Sequence, residues 1–342
     1  MKKVLVGMSG GIDSSVTVAL LQQKGYAVSG ITMRVLPQYE KNDPAVDALS
    51  VAKKLGIDLE IVDVSSAFEN SVIQNFIEEY RMGNTPNPCI CCNSNIKFGL
   101  LYNYAISNGY DFFATGHYAI IEDGCLYRGL DRQKDQSYFL YPVYNVDCSR
   151  ILFPLGALTK KEVRNIAASL GLPNANKDES QDICFIQGTD YSEFLRQRCS
   201  SLFKPGPVKN VDGKVIGTHT GIYQFTIGQR KGLGALGSPM YVKDILPLEN
   251  TVIAAGNQEL FSNCLLLNNV VCGAGGVETG RSYQVQVRYR SAAVSGKIES
   301  YNGQSIKIVF DQPVRAIAPG QSAVLYNNKG AVVAGGIIQR SN

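Results

Sequence analysis

Apolar and polar positions follow two different rhythms along the chain, and the change falls at Pro205-Gly206-Pro207. From the start to about Leu140 the rhythm alternates between strand and helix. Val4 to Val6 form an unbroken apolar run, as in a strand covered on both faces. Val16, Ala19 and Leu20 then recur at helical spacing, and Gly25 offers a stop. The exchange repeats, with strands expected over residues 28–33, 59–64 and 112–115 and helices over 45–55, 68–80 and 96–105. A hairpin is expected at Glu122-Asp123-Gly124. Thr159 with Glu162 is a capping box that opens a helix to about Leu170, stopped by Gly171, and 191–199 reads as one more helix.

Beyond residue 205 helical periodicity is scarce. Short β-like runs cover 208–211, 214–216, 241–245, 283–290, 294–300, 305–310, 323–326 and 331–333, with turns at Asp212-Gly213, Asn302-Gly303 and Asn328-Lys329-Gly330. The expected fold class is therefore α/β, with a doubly wound parallel sheet over residues 1–200. A small central module over 201–259 and an antiparallel β-barrel over 260–342 follow it. In such a sheet ligands bind beyond the carboxyl ends of the strands, which directs attention to Thr32-Met33 and to Thr115-Gly116-His117-Tyr118.

Composition changes this picture little. The 342 residues are 18% charged and 45% hydrophobic, as in an ordinary globular protein. No apolar run approaches the roughly 20 residues of a membrane helix, and no secretory core follows Met1-Lys2-Lys3, so a cytoplasmic location is expected. A net charge of +4 does not separate a polyanion-binding surface from a solvated one. The nine cysteines are an odd number, and three of them crowd Cys89-Ile90-Cys91-Cys92. That favours reactive thiols or a metal site over a secreted disulfide framework.

The chemistry begins where the first strand turns into the first helix, at Gly7-Met8-Ser9-Gly10-Gly11-Ile12-Asp13-Ser14. Gly10 and Gly11 let backbone N–H groups approach phosphate oxygens, with serine hydroxyls at the positive end of the helix. A Walker loop would close on Gly-Lys-Ser/Thr, and here that position holds Asp13-Ser14-Ser15. The Ser-Gly-Gly-x-Asp-Ser pattern resembles the PP-loop of enzymes that cleave ATP between the α- and β-phosphates, in which Asp13 would help hold Mg²⁺. Two thiol-bearing loops lie elsewhere. Prolines bar helix until Cys89, which places Cys92 near a helix start, where the dipole lowers a thiol pKa. Cys184 lies in a second loop, after the acidic stretch Asp178 to Asp182. The pair suits a transient disulfide or a persulfide and its resolving thiol. Equally, Cys89, Cys92 and Cys184 offer three thiolates to zinc or an iron–sulfur cluster, although the chain has only two histidines, His117 and His219.

Taken in order, Ser9-Gly-Gly-Ile-Asp-Ser14, Thr85-Pro-Asn-Pro88, Cys92-Asn with Ile96-Lys-Phe98, Ala114-Thr-Gly-His-Tyr118 and Lys134-Asp-Gln-Ser-Tyr-Phe139 resemble the bacterial tRNA-specific 2-thiouridylases. So do Ser180-Gln-Asp-Ile-Cys-Phe185, Gly228 to Gly234, Val287-Arg-Tyr-Arg290 and Pro319-Gly-Gln321, and together they span almost the whole chain. The resemblance implies a tRNA-uridine 2-sulfurtransferase of the PP-loop ATP pyrophosphatase superfamily. Such an enzyme thiolates the wobble uridine by adenylating its C2 oxygen. It implies ATP and Mg²⁺, with Gly7, Met8, Ser9, Gly10, Gly11, Ile12, Asp13, Ser14, Met33 and Gly116 at the nucleotide. It implies Cys184 as the persulfide carrier, loaded by a sulfur-relay protein or cysteine desulfurase, and Cys92 as the nucleophile that releases the sulfur and leaves a disulfide. Asn87, Pro88 and Cys89 would touch the target base. His117, Lys134, Asp135, Gln136, Arg288, Tyr289 and Gln321 would touch tRNA, Arg288 and Arg290 sharing one face of a β-run. Cys89 stands where the family often has aspartate, which removes a carboxylate general acid and adds a third thiol; an iron–sulfur cluster stays an open alternative. Two rival readings are another PP-loop enzyme, such as a tRNA lysidine synthetase or an amidotransferase-linked ligase, and a metal-organised RNA-binding module. The first needs no paired thiols, and the second needs no working nucleotide site.

Overall fold

A computed structural model describes residues 1–37, 43–175, 183–186, 191–233 and 239–340. The elements of the first part are β1 (Lys3–Gly7), α1 (Ile12–Gln23), β2 (Ala27–Arg34), α2 (Pro44–Leu55) and β3 (Leu59–Asp63). Next come α3 (Ser65–Phe68), α4 (Gln74–Arg81), α5 (Pro88–Cys92), α6 (Tyr102–Ser107) and β4 (Phe112–Thr115). The hairpin β5 (Ala119–Glu122) and β6 (Cys125–Arg128), α7 (Ser137–Leu140), β7 (Ile151–Leu152), α8 (Lys160–Ser169) and α9 (Tyr191–Arg198) complete it. Two π-helical stretches, Glu69–Ile73 and Asn93–Leu101, join α3 to α4 and α5 to α6.

Five strands form one parallel sheet in the order β3-β2-β1-β4-β7. β1 is central because it is apolar on both faces. Val4 and Val6 pack with Val18, Leu21, Ala48 and Val51 of α1 and α2, whereas Leu5 points into a cluster with Phe98, Leu101 and Tyr102. Helices thus cover both sides, as the doubly wound expectation requires. The chain leaves β1 toward β2 and later returns to its other side at β4, so the switch point opens beyond Gly7 and Thr115. α8 closes over α1 through Ile12, Val16, Leu155, Val163 and Ala167. Its capping box is present, with Thr159 Oγ1 accepting from the Glu162 N–H and Glu162 from the Thr159 N–H.

A four-stranded sheet follows, in the order β10-β11-β8-β9, from β8 (Gly206–Lys209), β9 (Val215–His219), β10 (Tyr241–Leu246) and β11 (Thr251–Ala255). A closed barrel ends the chain, running β12-β15-β14-β13-β16-β17. Its strands are β12 (Phe261–Cys272), β13 (Ser282–Gln286), β14 (Val294–Tyr301), β15 (Ile306–Arg315), β16 (Ser322–Tyr326) and β17 (Val332–Ile338). The pattern alone does not show β12, because bulges after Ser262 and Asn268 break its alternation and Asn269 turns to φ 52°. The expected run 283–290 also needs correction. β13 stops at Gln286, and Arg288, Tyr289 and Arg290 lie in the turn beyond it, so the two arginines do not share a strand face. Among the described residues no helix is long and apolar enough to cross a membrane.

Candidate active site

The glycine turn sits at the switch point. Gly10 takes φ 71°, and a Cβ there would meet Asp47 Cβ at 2.6 Å and the Pro44 carbonyl at 3.0 Å, so the turn lies flat on the start of α2. Gly11 caps α1 without a side-chain hydrogen bond, which leaves the first-turn N–H groups to a ligand. The hydroxyls of Ser14 and Ser15 both donate to the Gly11 carbonyl, at 3.1 and 2.9 Å, so these buried serines shape the turn from inside. Gly116, just past β4, must be a glycine. Its Cβ would stand 2.8 Å from the Ser14 nitrogen and the Asp13 carbonyl carbon. Met33 lies half-buried at the end of β2, packed against both neighbouring cores.

Lys160 and Asn174, which the sequence pattern did not single out, and Tyr118, which it placed at a strand end, hold this turn. Lys160, nearly buried at the start of α8, places Nζ 2.8 and 2.9 Å from the two carboxylate oxygens of Asp13. Tyr118 donates its hydroxyl to Asp13 Oδ1 at 2.8 Å. Asn174 donates Nδ2 to the Gly10 carbonyl at 2.8 Å and to Ser15 Oγ at 2.9 Å. The trace of Lys160 in sequence is its place beside the Thr159/Glu162 capping box. Asp13 opens on a cleft of about 670 Å³ whose far wall carries Arg128, Lys134, Tyr289 and Arg290.

His117 links the turn to the thiols. Its Nδ1 lies 2.7 Å from Thr115 Oγ1 and its Nε2 lies 3.4 Å from Lys97 Nζ. Burial, and then Lys97, hold its pKa well below 6.5, so the ring is neutral and Lys97 donates to it. Lys97 in turn faces Cys89, Cys92 and Cys184, lowering the pKa of each against larger opposing effects.

Cys184 lies within electrostatic reach of Cys92 and Cys89, and its neighbour Phe185 shares one core cluster with Cys92. Phe185, buried among Phe68, Phe76 and Phe194 with ring centroids 5.3–5.7 Å away, anchors the segment that carries Cys184. Cys184 keeps accessible surface, yet the protein around its thiol pushes the pKa up to about 12, with Cys92 and then Cys89 adding to the rise. Cys92 is buried, and desolvation raises it as well. The expected dipole-lowered thiol is therefore corrected. The helix begins at Pro88 with Asn87 as its cap, so Cys92 lies past the first turn and loses more to burial than any dipole returns. Among the described residues no group of three or more His, Cys, Asp or Glu is arranged to hold a metal ion. Asp13 does fit Mg²⁺, because one carboxylate together with substrate phosphates is a common way to bind that ion. The acidic stretch 178–182 and Gly234 lie outside the described residues.

The expected tRNA residues divide in two. Lys134 and Tyr289 line the cleft, Tyr289 packing on Phe139 with centroids 4.3 Å apart. The others, of which Asp135 and Gln136 also line the cleft, bond to neighbouring groups of the protein. Asp135 accepts from Arg128, from the Gly129 and Ser137 N–H groups and from the Ser137 hydroxyl, while Gln136 pairs with the Tyr118 backbone. Arg288 donates Nη2 to the Ile227 and Ala316 carbonyls, both at 2.8 Å. Gln321 donates to the Thr85 carbonyl at 2.8 Å, and so holds the Asn87-Pro88-Cys89 segment from the barrel.

A parallel sheet with a PP-type glycine turn, followed by a small β-module and a barrel, defines a nucleotide-dependent enzyme of the HUP class. The tRNA methyl transferase HUP domain family matches residues 2–188, its PRC-barrel domain 192–256, and the aminomethyltransferase β-barrel domain 264–338. The tRNA-specific 2-thiouridylase MnmA of Halothermothrix orenii is 41% identical, covering 100% of both chains. Its namesake in Carboxydothermus hydrogenoformans is 42% identical over 99% of this chain and 98% of its own, and that of Acetivibrio thermocellus is 42% identical over 99% of each. The chain belongs to the tRNA-specific 2-thiouridylase family, a family of sulfurtransferase enzymes.

Proposed function

We propose that the protein replaces O2 of the wobble uridine of tRNA with sulfur, driven by ATP. The observation that carries this is that Cys184, anchored by Phe185 in the core cluster of Cys92, lies within electrostatic reach of Cys92 and Cys89, beside a contact chain from the glycine turn through Gly116, His117 and Lys97. The uridine O2 attacks the α-phosphorus of ATP held on Gly7 to Ser14, and pyrophosphate leaves. Cys184 carries a persulfide. Cys92, as thiolate, attacks the Cys184 sulfur, the terminal sulfur departs as hydrosulfide, and a Cys92–Cys184 disulfide forms. Hydrosulfide adds to C2, AMP leaves with the former oxygen, and an external dithiol returns the disulfide to two thiols. A persulfide donor protein then recharges Cys184. Because burial raises both thiols, Cys92 must lose its proton on demand, and Lys97 is the cation placed to stabilise the resulting charge. Asn87, Pro88 and Cys89 hold the flipped base, and the cleft with Lys134 and Tyr289 takes the tRNA backbone. Asp135, Gln136, Arg288, Gln321 and His117 act by holding those surfaces in place.

Cys92→Ser and Cys184→Ser, assayed with unmodified tRNA, ATP and a persulfide donor, test the scheme. Both variants should still release pyrophosphate and should form no 2-thiouridine. Full thiolation by either one would sink the two-thiol route. Absence of pyrophosphate release from the unaltered protein would favour an RNA-binding module instead.

A further inference from the structure

The glycine turn lacks the lysine that a phosphate loop ordinarily carries, yet a lysine reaches it from elsewhere in the fold. Lys160 lies at the first position of α8, and its backbone is fixed from two sides. Its N–H donates to Asp131 Oδ2 at 3.0 Å, and the Thr159/Glu162 capping box sets the helix start beside it. The place from which its stem starts is thus dictated by the fold. That ammonium lies 2.8 and 2.9 Å from the Asp13 oxygens and 5.6 Å from the centre of the Tyr118 ring.

Exposed ion pairs contribute little to stability and enclosed ones are offset by desolvation, so stability alone does not account for a charged pair at this place. Here the Asp13 side chain is one-third exposed, and it opens with Lys160 on the 670 Å³ cleft. The cleft is rich in cations. Arg128, Arg132, Lys134 and Arg290 line it with Lys160, whereas its two carboxylates among the described residues are Asp13 and Asp135, the latter already bound to Arg128 and two backbone N–H groups. Positive charge gathered in a cleft that reaches Asp13, in the first turn of the helix that the glycine turn opens, suits a polyanion. The lysine stem is long and jointed, so its ammonium can turn from Asp13 to an incoming oxygen without moving α8.

We propose that Lys160 binds the β,γ-phosphates of ATP, supplying from α8 the cation that the glycine turn lacks and resting on Asp13 until the nucleotide arrives. This assignment rests on the nucleotide site of the proposed function. It makes Lys160 a substrate-binding residue and gives Asp13 two successive partners.

Pyrophosphate and AMP, titrated separately by calorimetry in the presence of Mg²⁺, test it, since AMP has no β-phosphate. Lys160→Met should weaken pyrophosphate about 10- to 100-fold, the loss of one charge-assisted contact, while AMP stays within about twofold. Lys160→Arg, which keeps the charge, should retain most of the pyrophosphate affinity. Unchanged pyrophosphate binding in Lys160→Met overturns the assignment and leaves the nucleotide site standing. A parallel fall of AMP and pyrophosphate with a lowered melting temperature overturns it in favour of a structural latch. An unaltered protein that takes neither ligand overturns the nucleotide site and the lysine assignment together.

Discussion

Gly116→Ala adds one methyl group at the contact between β4 and the nucleotide turn. The new Cβ would lie 2.8 Å from the Ser14 nitrogen and the Asp13 carbonyl carbon and 3.1 Å from Asp13 Cβ. Two of those atoms are backbone, and α8 packs over the same turn of α1, so none can swing aside. Ordinary contact begins at 3.4 Å, so the two segments must part by about 0.6 Å, an overpacking of ~1–3 kcal/mol. Misplacement by about 1 Å can cost on the order of 100-fold in rate, so a shift of this size should cost roughly tenfold in kcat/KM for ATP. Pyrophosphate release with saturating tRNA, followed as ATP is varied, measures that loss. The melting temperature should fall by roughly 2–10 °C. Gly275→Ala is the control, having nothing within 4 Å and no positive φ, and should change stability by no more than about 0.5 kcal/mol. If Gly116→Ala melted lower but kept the ATP kinetics of the unaltered protein, the idea that Gly116 sets the nucleotide turn would be refuted.

Alkaline stability should follow the buried acids. Burial raises Cys91 and Cys148 to about 11 and Tyr141, Tyr326 and Cys184 to about 12, from ordinary values of 9.0 and 10.0. The fold keeps protons that the unfolded chain has lost, so this stabilisation is full below pH 9 and disappears as pH rises through 11 to 12. Melting temperatures should hold steady from pH 7 to 9 and then drop; a rise between 9 and 11 would contradict the sign. Arg288 and Arg290 should separate in their roles. Arg288→Met removes two charge-assisted bonds and should destabilise the protein by about 2–3 kcal/mol with an unchanged salt slope of tRNA binding. Arg290→Ala, on the exposed rim of the cleft, should leave the melt alone and lower that slope by about one. A slope altered by Arg288→Met would reverse the assignment.

The parallel sheet was legible because β1 is apolar on both faces and because Thr159, Glu162 and Gly171 punctuate α8 by local rules. The barrel was legible from its turns, but β12 was not, since a strand that bulges twice carries no steady period. At the site, glycines and cysteines announced themselves by residue type. Lys160 and Asn174 did not, because a lysine on an ordinary helix is indistinguishable in sequence from one aimed at a carboxylate 147 positions away. The ionisation of Cys92 was read with the wrong sign for a related reason. The dipole is a local property that spacing reveals, whereas desolvation depends on Phe185 and the other side chains that tertiary packing brings around it.

The same packing bears on why three domains share one chain. The segment that the proposed function sets against the target base begins at Thr85, and each other domain grips that residue. Pro319 of the barrel accepts from its N–H at 2.9 Å, Gln321 donates to its carbonyl at 2.8 Å, and its hydroxyl donates to Thr226 Oγ1 of the central module at 3.2 Å. Arg288 fastens barrel to module through Ile227 and Ala316 a short way off. A loop bound on three sides cannot move alone, so the position of Asn87-Pro88-Cys89 relative to the thiols is a property of the domain arrangement. The raised thiols fit that dependence. A buried Cys92 is protonated and inert at neutral pH, and any change that brings Lys97 closer or lowers desolvation would release its charge. Coupling the base-facing loop to both β-domains therefore gives a large ligand gripping those domains mechanical access to the thiol's ionisation. A small ligand at the glycine turn has no such grip on the β-domains, and among the described residues one route from it to the thiols runs through Gly116, His117 and Lys97.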